Sequence, residues 1–413
     1  MITRFRVNNF RNLLNVEFRP VRINLLIGQN NAGKTNLCHA MRFLAWSTAL
    51  SLDEAASTVL KENWNISNAY LPENGNIEFE IDLTIHESGI DHAFSYRLQI
   101  SAGRAALTGT QVLQVLRETL VVTSGDLPHV TLIENDKGAA QVLEEKSSLP
   151  PRASENPAVE GLIRHRASKH LGMQVPREWT ALAKLFDADA NRLAVAFKQH
   201  LGKCWYYSLN PEAMRSPKAT VESPVVMPDG ANLGKVLFAL HNENPRLERK
   251  IIDALKLVEP KVDLLKFYSR DPEFIFVHFE DKHGRPFSVQ NMSDGTLRYL
   301  VLCFLLAVLD LGGPSKDPGG APCILFEEPE NGLFVGNLKP LFEKLDFNGT
   351  NGQCIFTSHS PYFIDLFDAH LESVHLMKPG IPSASLLKPD PARVRQLLNE
   401  MPLGELHYRE MLG

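Results

Sequence analysis

Gly28-Gln29-Asn30-Asn31-Ala32-Gly33-Lys34-Thr35 fits the pattern G-x-x-x-x-G-K-[ST] at every fixed position. The residues ahead of it, Arg22-Ile23-Asn24-Leu25-Leu26-Ile27, read as a buried strand, and Leu37, Met41 and Leu44 behind it recur at helical spacing. A strand, a glycine loop and a helix in this order aim backbone N–H groups and a helix N-terminus at phosphate oxygens. The pattern predicts a nucleoside triphosphate site. Gly28, Asn30, Asn31, Ala32 and Gly33 form its cradle, Lys34 reaches the β- and γ-phosphates, and the Thr35 hydroxyl ligates Mg²⁺. The alternative is a glycine turn that caps a helix and matches the motif by chance.

Composition sets the frame. The chain has 413 residues, which exceeds one average domain but allows one large domain with insertions. An apolar share of 44% suffices for a sizeable core. A formal charge of −5 predicts no general attraction to nucleic acid, so any such binding needs a local basic patch. The five cysteines (Cys38, Cys204, Cys303, Cys323 and Cys354) include no C-x-x-C pair, which predicts buried, reduced thiols. The N-terminal residues lack the apolar core of a signal peptide, and the longest apolar run, Tyr299 to Leu309, is too short to span a bilayer. A soluble, cytoplasmic protein is expected.

Alternation in Ile77–Leu83 and Phe94–Leu98 predicts half-buried antiparallel strands, with further strands near Gln111–Thr123 and Val130–Glu134. A polar, proline-broken stretch from Gly125 to about Arg177 contains the basic run Arg164 to His170. Helical patterning returns at Leu182, Leu185, Phe186, Leu193, Phe197 and Leu201, and again at Leu247, Ile251, Ile252, Leu255 and Val258. Glu273–Val277 reads as a strand, and Gly312–Pro322 as an exposed glycine- and proline-rich linker. No internal repeat and no sustained heptad pattern is present.

Three further motifs lie in the C-terminal third. Ser293-Asp294-Gly295-Thr296 opens a helix carrying Leu297, Leu300, Val301, Phe304, Leu305 and Val308, and a plain helix cap by Ser293 would read the same way. The apolar strand Ile324-Leu325-Phe326 ends in Glu327-Glu328-Pro329-Glu330-Asn331. Two acids beginning where such a strand stops can place one near Mg²⁺ and the next near an attacking water. Gln353–Thr357 is another strand, ending at Ser358-His359-Ser360-Pro361, where a lone histidine is more often structural. Open α/β sheets gather ligands at the carboxyl ends of their strands, and three strand ends here carry phosphate-active groups.

In this order, the phosphate loop, the S-D-G-T helix start, the E-E-P-E-N strand end and the T-S-H-S-P segment resemble the ABC-type ATPases of the RecF, SMC and OLD-like branch. Phe5-Arg6-Val7-Asn8-Asn9-Phe10-Arg11-Asn12-Leu13 is similar to the opening strand of that branch, most of all to its stand-alone RecF-like members. The resemblance is strongest over residues 1–45 and 285–365. It implies an α/β fold: an ABC-type P-loop ATPase head with a mixed sheet, an antiparallel β-subdomain and an inserted helical lobe. It divides the chain into residues 1–140 (the N-terminal half of the head), 141–290 (an insert forming the signature lobe) and 291–413 (the C-terminal half).

Carried over by motif, Glu327 is the metal-side acid, Glu328 the catalytic base and His359 the switch histidine that senses the γ-phosphate. Ser293, Asp294 and Gly295 stand where the ABC signature stands, a segment that binds the nucleotide held by the opposite subunit. The chain departs from the branch by having Glu327 where Asp is usual, S-D-G-T in place of L-S-G-G-Q, and Leu333-Phe334-Val335 where an L-H-P often follows. The resemblance implies ATP and Mg²⁺ as ligands and a homodimer that sandwiches two ATP molecules.

The stretch between Thr35 and Ser293 is long for a transporter subunit and lacks the heptads of an SMC protein. No D-x-D pair follows His359, so the nuclease domain of OLD-type proteins is not expected. Two functions are compatible with these features. The first is a DNA-associated ATPase in repair or in defence against foreign DNA, with a separately encoded nuclease or toxin and Arg4, Arg6, Arg11, Arg164, Arg166 and Lys169 as candidate phosphate contacts. The second is a nucleotide-dependent switch that holds and releases a protein partner without touching DNA.

Overall fold

The computed structural model describes residues 1–60, 65–68, 75–87, 89–104, 111–125, 128–144, 169–186, 190–215, 225–271, 274–311, 323–343, 345, 347 and 352–412. The phosphate loop follows a strand near the middle of a six-stranded sheet. Its order is Cys204–Tyr207, Cys323–Glu327, Gln353–Ser358, Ile23–Ile27, Val374–Lys378 and Ser385–Leu387. The first five strands run parallel, and the sixth pairs antiparallel with the fifth. Every residue of Ile23–Ile27 is buried, as a parallel strand covered on both faces requires.

Alternating side chains divide this sheet between two cores. Leu26, Leu325 and Ile355 pack with Leu37, Met41 and Leu44 of the helix Lys34–Trp46. Ile23, Leu25, Ile27, Ile324, Phe326 and Phe356 pack instead with the helix Asp294–Leu311 and with Phe363 and Phe367. The first core continues into an eight-stranded antiparallel sheet, ordered Val16–Phe18, Ile2–Asn8, Asn76–Glu87, Ile90–Arg104, Gln111–Ser124, Val130–Asp136, Ala139–Glu144 and Lys169–Gln174. The second takes in the helices Leu233–Glu243 and Pro245–Leu255 and a three-stranded antiparallel sheet, Leu264–Asp271, Phe274–Glu280 and Pro286–Ser288.

The mixed α/β class read from the sequence holds, and the large antiparallel layer is a separate sheet beside the parallel one. That layer runs past residue 140, since Ala139–Glu144 and Lys169–Gln174 are its last two strands. One helical expectation is corrected. The stretch Leu182–Leu201 is not continuous helix but a 3-10 turn, Leu182–Lys184, followed by the helix Arg192–Gly202. The fully buried Glu118 holds the start of that turn, its carboxylate accepting the N–H groups of Ala181 and Leu182, and the turn ends where Leu185 becomes extended. Phe186, counted among the apolar helical positions, is 79% exposed. All five cysteines are buried and free. The linker Gly312–Pro322 and the basic residues Arg164 and Arg166 lie outside the described residues. Among the described residues, no helix is long and apolar enough to cross a membrane.

Candidate functional site

The strands Ile23–Ile27, Gln353–Ser358 and Cys323–Glu327 are adjacent and parallel, so their carboxyl ends open on one side of the sheet. Gly28 leaves the first with φ 152°, Asn31 has φ 62°, and Gly33 caps the helix Lys34–Trp46 with φ 103°. These left-handed turns are open to glycine and tolerated by asparagine. A methyl group at Gly28 would also run into the carbonyl of Met377. The first turn of the helix carries no acid, so its free N–H groups keep their pull on an anion. Asn30 to Asn36, Glu328, Thr357, His359 and Pro379 to Pro382 line an open cleft of about 1000 Å³.

Lys34 is buried, and its Nζ donates to the carbonyls of Gly28 at 2.8 Å and Gln29 at 3.1 Å. Burial lowers its pKa to about 8 against the opposing pull of Glu328 and Glu327. The same Nζ is 3.4 Å from His359 Nδ1, and His359 Nε2 is 3.3 Å from Glu328 Oε1. Burial and the Lys34 cation lower the pKa of His359, and Glu328 opposes them. The structure therefore brings Lys34, His359 and Glu328 into one chain of contacts.

Glu328 is the first residue past its strand and has φ 44°, a left-handed conformation costly for a residue with a β-carbon. Its N–H is held by the Thr357 carbonyl at 3.0 Å, and its Oε2 accepts from Asn331 Nδ2 at 2.6 Å. Glu327, one residue earlier, accepts a hydrogen bond from Tyr206 on Oε2 at 2.6 Å, while its Oε1 is buried without a hydrogen-bond partner. Thr35 is exposed at the cleft floor. An exposed hydroxyl and an orphaned carboxylate oxygen beside the phosphate loop suit a hard, oxygen-seeking cation such as Mg²⁺.

Ser293, Asp294 and Gly295 do not join this cleft within the chain. Ser293 and Asp294 are exposed, and Ser293 does cap its helix, its Oγ accepting from the Thr296 N–H at 3.1 Å. Asp294 pairs with Arg215 at 2.6 Å. Gly295 is buried under the Gly332 carbonyl, which a methyl group would strike, so the helix start is docked on the loop that follows Glu328.

Several further groups at the site take on roles that the motifs do not assign. Asn12 takes a hydrogen bond from Asn36 at 2.8 Å and donates to the Asn31 carbonyl at 3.3 Å. Glu330 is buried and accepts from Ser358 Oγ, tying the loop after Glu328 to the residue before His359, and burial raises its pKa. Arg298, on the helix that Ser293 caps, is half-buried within electrostatic reach of Asp294 and Glu328. Gln29 in the loop donates to Glu410 near the C-terminus at 2.6 Å. For each of these only the tertiary neighbour carries the signal. Two of the basic candidates change meaning: Arg4 is paired with Asp82, Glu80 and Glu17, and Arg6 with Glu80. Arg11 is spent on Asn36 and the Asn65 carbonyl. Cross-strand carboxylates thus hold Arg4 and Arg6, and Asn36 of the helix Lys34–Trp46 holds Arg11. Lys169 is exposed on its strand.

Two family models match the chain: residues 1–149 match "AAA ATPase domain", and residues 217–365 match "AAA domain, putative AbiEii toxin, Type IV TA system". No curated protein matches its sequence. Solved structures that resemble it include an SMC head bound to the C-winged helix domain of ScpA, at 11% identity over 96% of this chain and 99% of that one, with a TM-score of 0.49. Others are the SMC head domain from Thermotoga maritima, at 12% identity over 94% and 99% with a TM-score of 0.41, and the Smc head with an extended coiled coil from Pyrococcus furiosus, at 11% over 97% and 99% with 0.44. The two family matches meet at the cleft, one holding the phosphate loop and the other Glu327, Glu328 and His359. Both matched regions are thus of AAA ATPase domain type, set within the mixed α/β fold described above.

Proposed function

We propose that this chain binds ATP with Mg²⁺ at Gly28–Thr35, pairs with a second copy around two nucleotides, and hydrolyses them to engage and release a separately encoded partner. The observation that carries the reading is the contact chain Lys34–His359–Glu328, assembled from the carboxyl ends of three adjacent parallel strands. Lys34 trades its carbonyl partners for phosphate oxygens. Glu328, bent into the cleft by its left-handed backbone, orients and deprotonates the attacking water, and His359 senses the γ-phosphate between them. Thr35 and Glu327 would hold the Mg²⁺, which neutralises charge across the β- and γ-phosphates when bound. Exposed Ser293 and Asp294, away from their own cleft, suit a nucleotide held by the other copy. In this scheme the head takes residues 1–140 and 291–413 together with the strands Ala139–Glu144, Lys169–Gln174 and Cys204–Tyr207, and the signature lobe is the pair of helices Leu233–Glu243 and Pro245–Leu255 with the three-stranded sheet.

Glu328→Gln tests the assignment. It should bind ATP as tightly as wild type, release phosphate about 10²–10⁴-fold more slowly, and elute as a dimer when ATP is present. Hydrolysis at the wild-type rate would remove Glu328 from its role.

For the partner, the engagement of Arg4, Arg6 and Arg11 within the fold favours a protein over DNA. A role in DNA repair or foreign-DNA defence through direct contact remains the competing reading. Its signature would be duplex DNA binding that falls steeply with salt.

A further inference from the structure

We infer that Tyr206 is a positioning residue for the metal-side acid, fixing Glu327 so that a single carboxylate oxygen is left for Mg²⁺. The inference rests on the ATP-site reading above and concerns residues that no motif links. Tyr206 lies on the edge strand Cys204–Tyr207, in register with Leu325 of the neighbouring parallel strand. Glu327 is two residues beyond Leu325, so its side chain and that of Tyr206 share one face of the sheet as diagonal neighbours. The phenol spans this diagonal and donates to Glu327 Oε2 at 2.6 Å.

The arrangement accounts for the longer acid. An aspartate at this position, one methylene shorter, would withdraw from the phenol. The glutamate instead has Oε2 occupied and Oε1 buried with no hydrogen-bond partner. A buried carboxylate oxygen left unsatisfied is costly unless a ligand completes it. Tyr206 is itself held in place. The Arg42 guanidinium lies over its ring at 4.9 Å, and the His39 ring packs at 5.7 Å, both from the helix that the phosphate loop opens. The geometry is that of an outer partner orienting a metal ligand, a role whose loss typically costs about 10–100-fold in metal affinity.

The test uses the full chain, a fluorescent non-hydrolysable ATP analogue and a Mg²⁺ titration, and it reads binding without turnover. In Tyr206→Phe, which keeps the ring beneath Arg42, the Mg²⁺ concentration for half-maximal binding should rise about tenfold. Binding of the analogue in excess chelator should not change. In a Glu327→Asp background the same substitution should add no further shift, because the shorter acid no longer meets the phenol. An unshifted Mg²⁺ requirement in Tyr206→Phe overturns the assignment, as does an equal shift in both backgrounds. A parallel loss of chelator-resistant binding also overturns it, marking the phenol as merely structural. Wild-type protein that binds no analogue with or without Mg²⁺ would overturn the ATP-site reading itself, and this assignment with it.

Discussion

Gly28 has both a left-handed backbone and a carbonyl, that of Met377, standing where a side chain would begin. Gly28→Ala is therefore expected to cost about 1–3 kcal/mol of stability, visible as a lower thermal midpoint, and to abolish ATP-analogue binding. Glu328 is the opposite case, a residue with a β-carbon that keeps φ 44° because the Thr357 carbonyl and the Asn331 amide hold it there. Asn331→Ala removes one of these restraints. It should lower the hydrolysis rate more than ATP affinity, a split that single-turnover and binding measurements separate. Unchanged turnover would mean that the amide does not orient the acid. The sequence marks Lys34, Glu328 and His359 because each stands at a strand end beside a recognisable pattern. Asn12 and Glu330 sit inside recognisable stretches that assign them no role, and Tyr206 sits in none. Their partners are 19, 28 and 121 residues away in the chain, and only the folded register joins them.

Among the elements, the strand Val374–Lys378 carries an unusual load, a buried histidine. His375 packs edge-on against Phe18 at 4.9 Å, its Nε2 has no hydrogen-bond partner, and burial lowers its pKa to about 3. The unfolded chain binds the proton with an ordinary histidine pKa near 6.5, so stability rises with pH between about 3 and 6.5 and is lost as pH falls through that window. At pH 4.5 this one ring should cost the fold about 2–3 kcal/mol relative to pH 7. Urea midpoints of wild type and His375→Leu at the two pH values check it: the variant should lose less on acidification. Equal losses would show that His375 is not the sensitive group. Elements such as this strand lay beyond sequence reading, whereas Ile77–Leu83, Gln111–Thr123 and Val130–Glu134 were legible because one face of each is buried and the alternation shows. The stretch Leu182–Leu201 misled because its apolar spacing is helical while Leu185 breaks into extended backbone after a turn whose start the distant Glu118 carboxylate holds.

At the scale of the whole molecule, the exposed Ser293 and the lined cleft are expected to belong to different catalytic sites. Lys34→Ala and Ser293→Arg should each abolish hydrolysis alone. An equimolar mixture should regain activity, because a mixed dimer holds one site with an intact Lys34 from one copy and an intact Ser293 from the other. Phosphate release that stays at the level of the separate variants would mean that each chain works by itself. The contact of Gly295 with Gly332 then takes on a further meaning. The loop that begins at Glu328 and the helix tip that opens at Ser293 touch through backbone, with no side chain between. If the tip grips the nucleotide of the other copy, as proposed, a shift of the loop on loss of its own phosphate would press directly on it. The two nucleotides of a pair would in that case not be independent clocks, and the missing methyl group of Gly295 would be the gear tooth that keeps them in step.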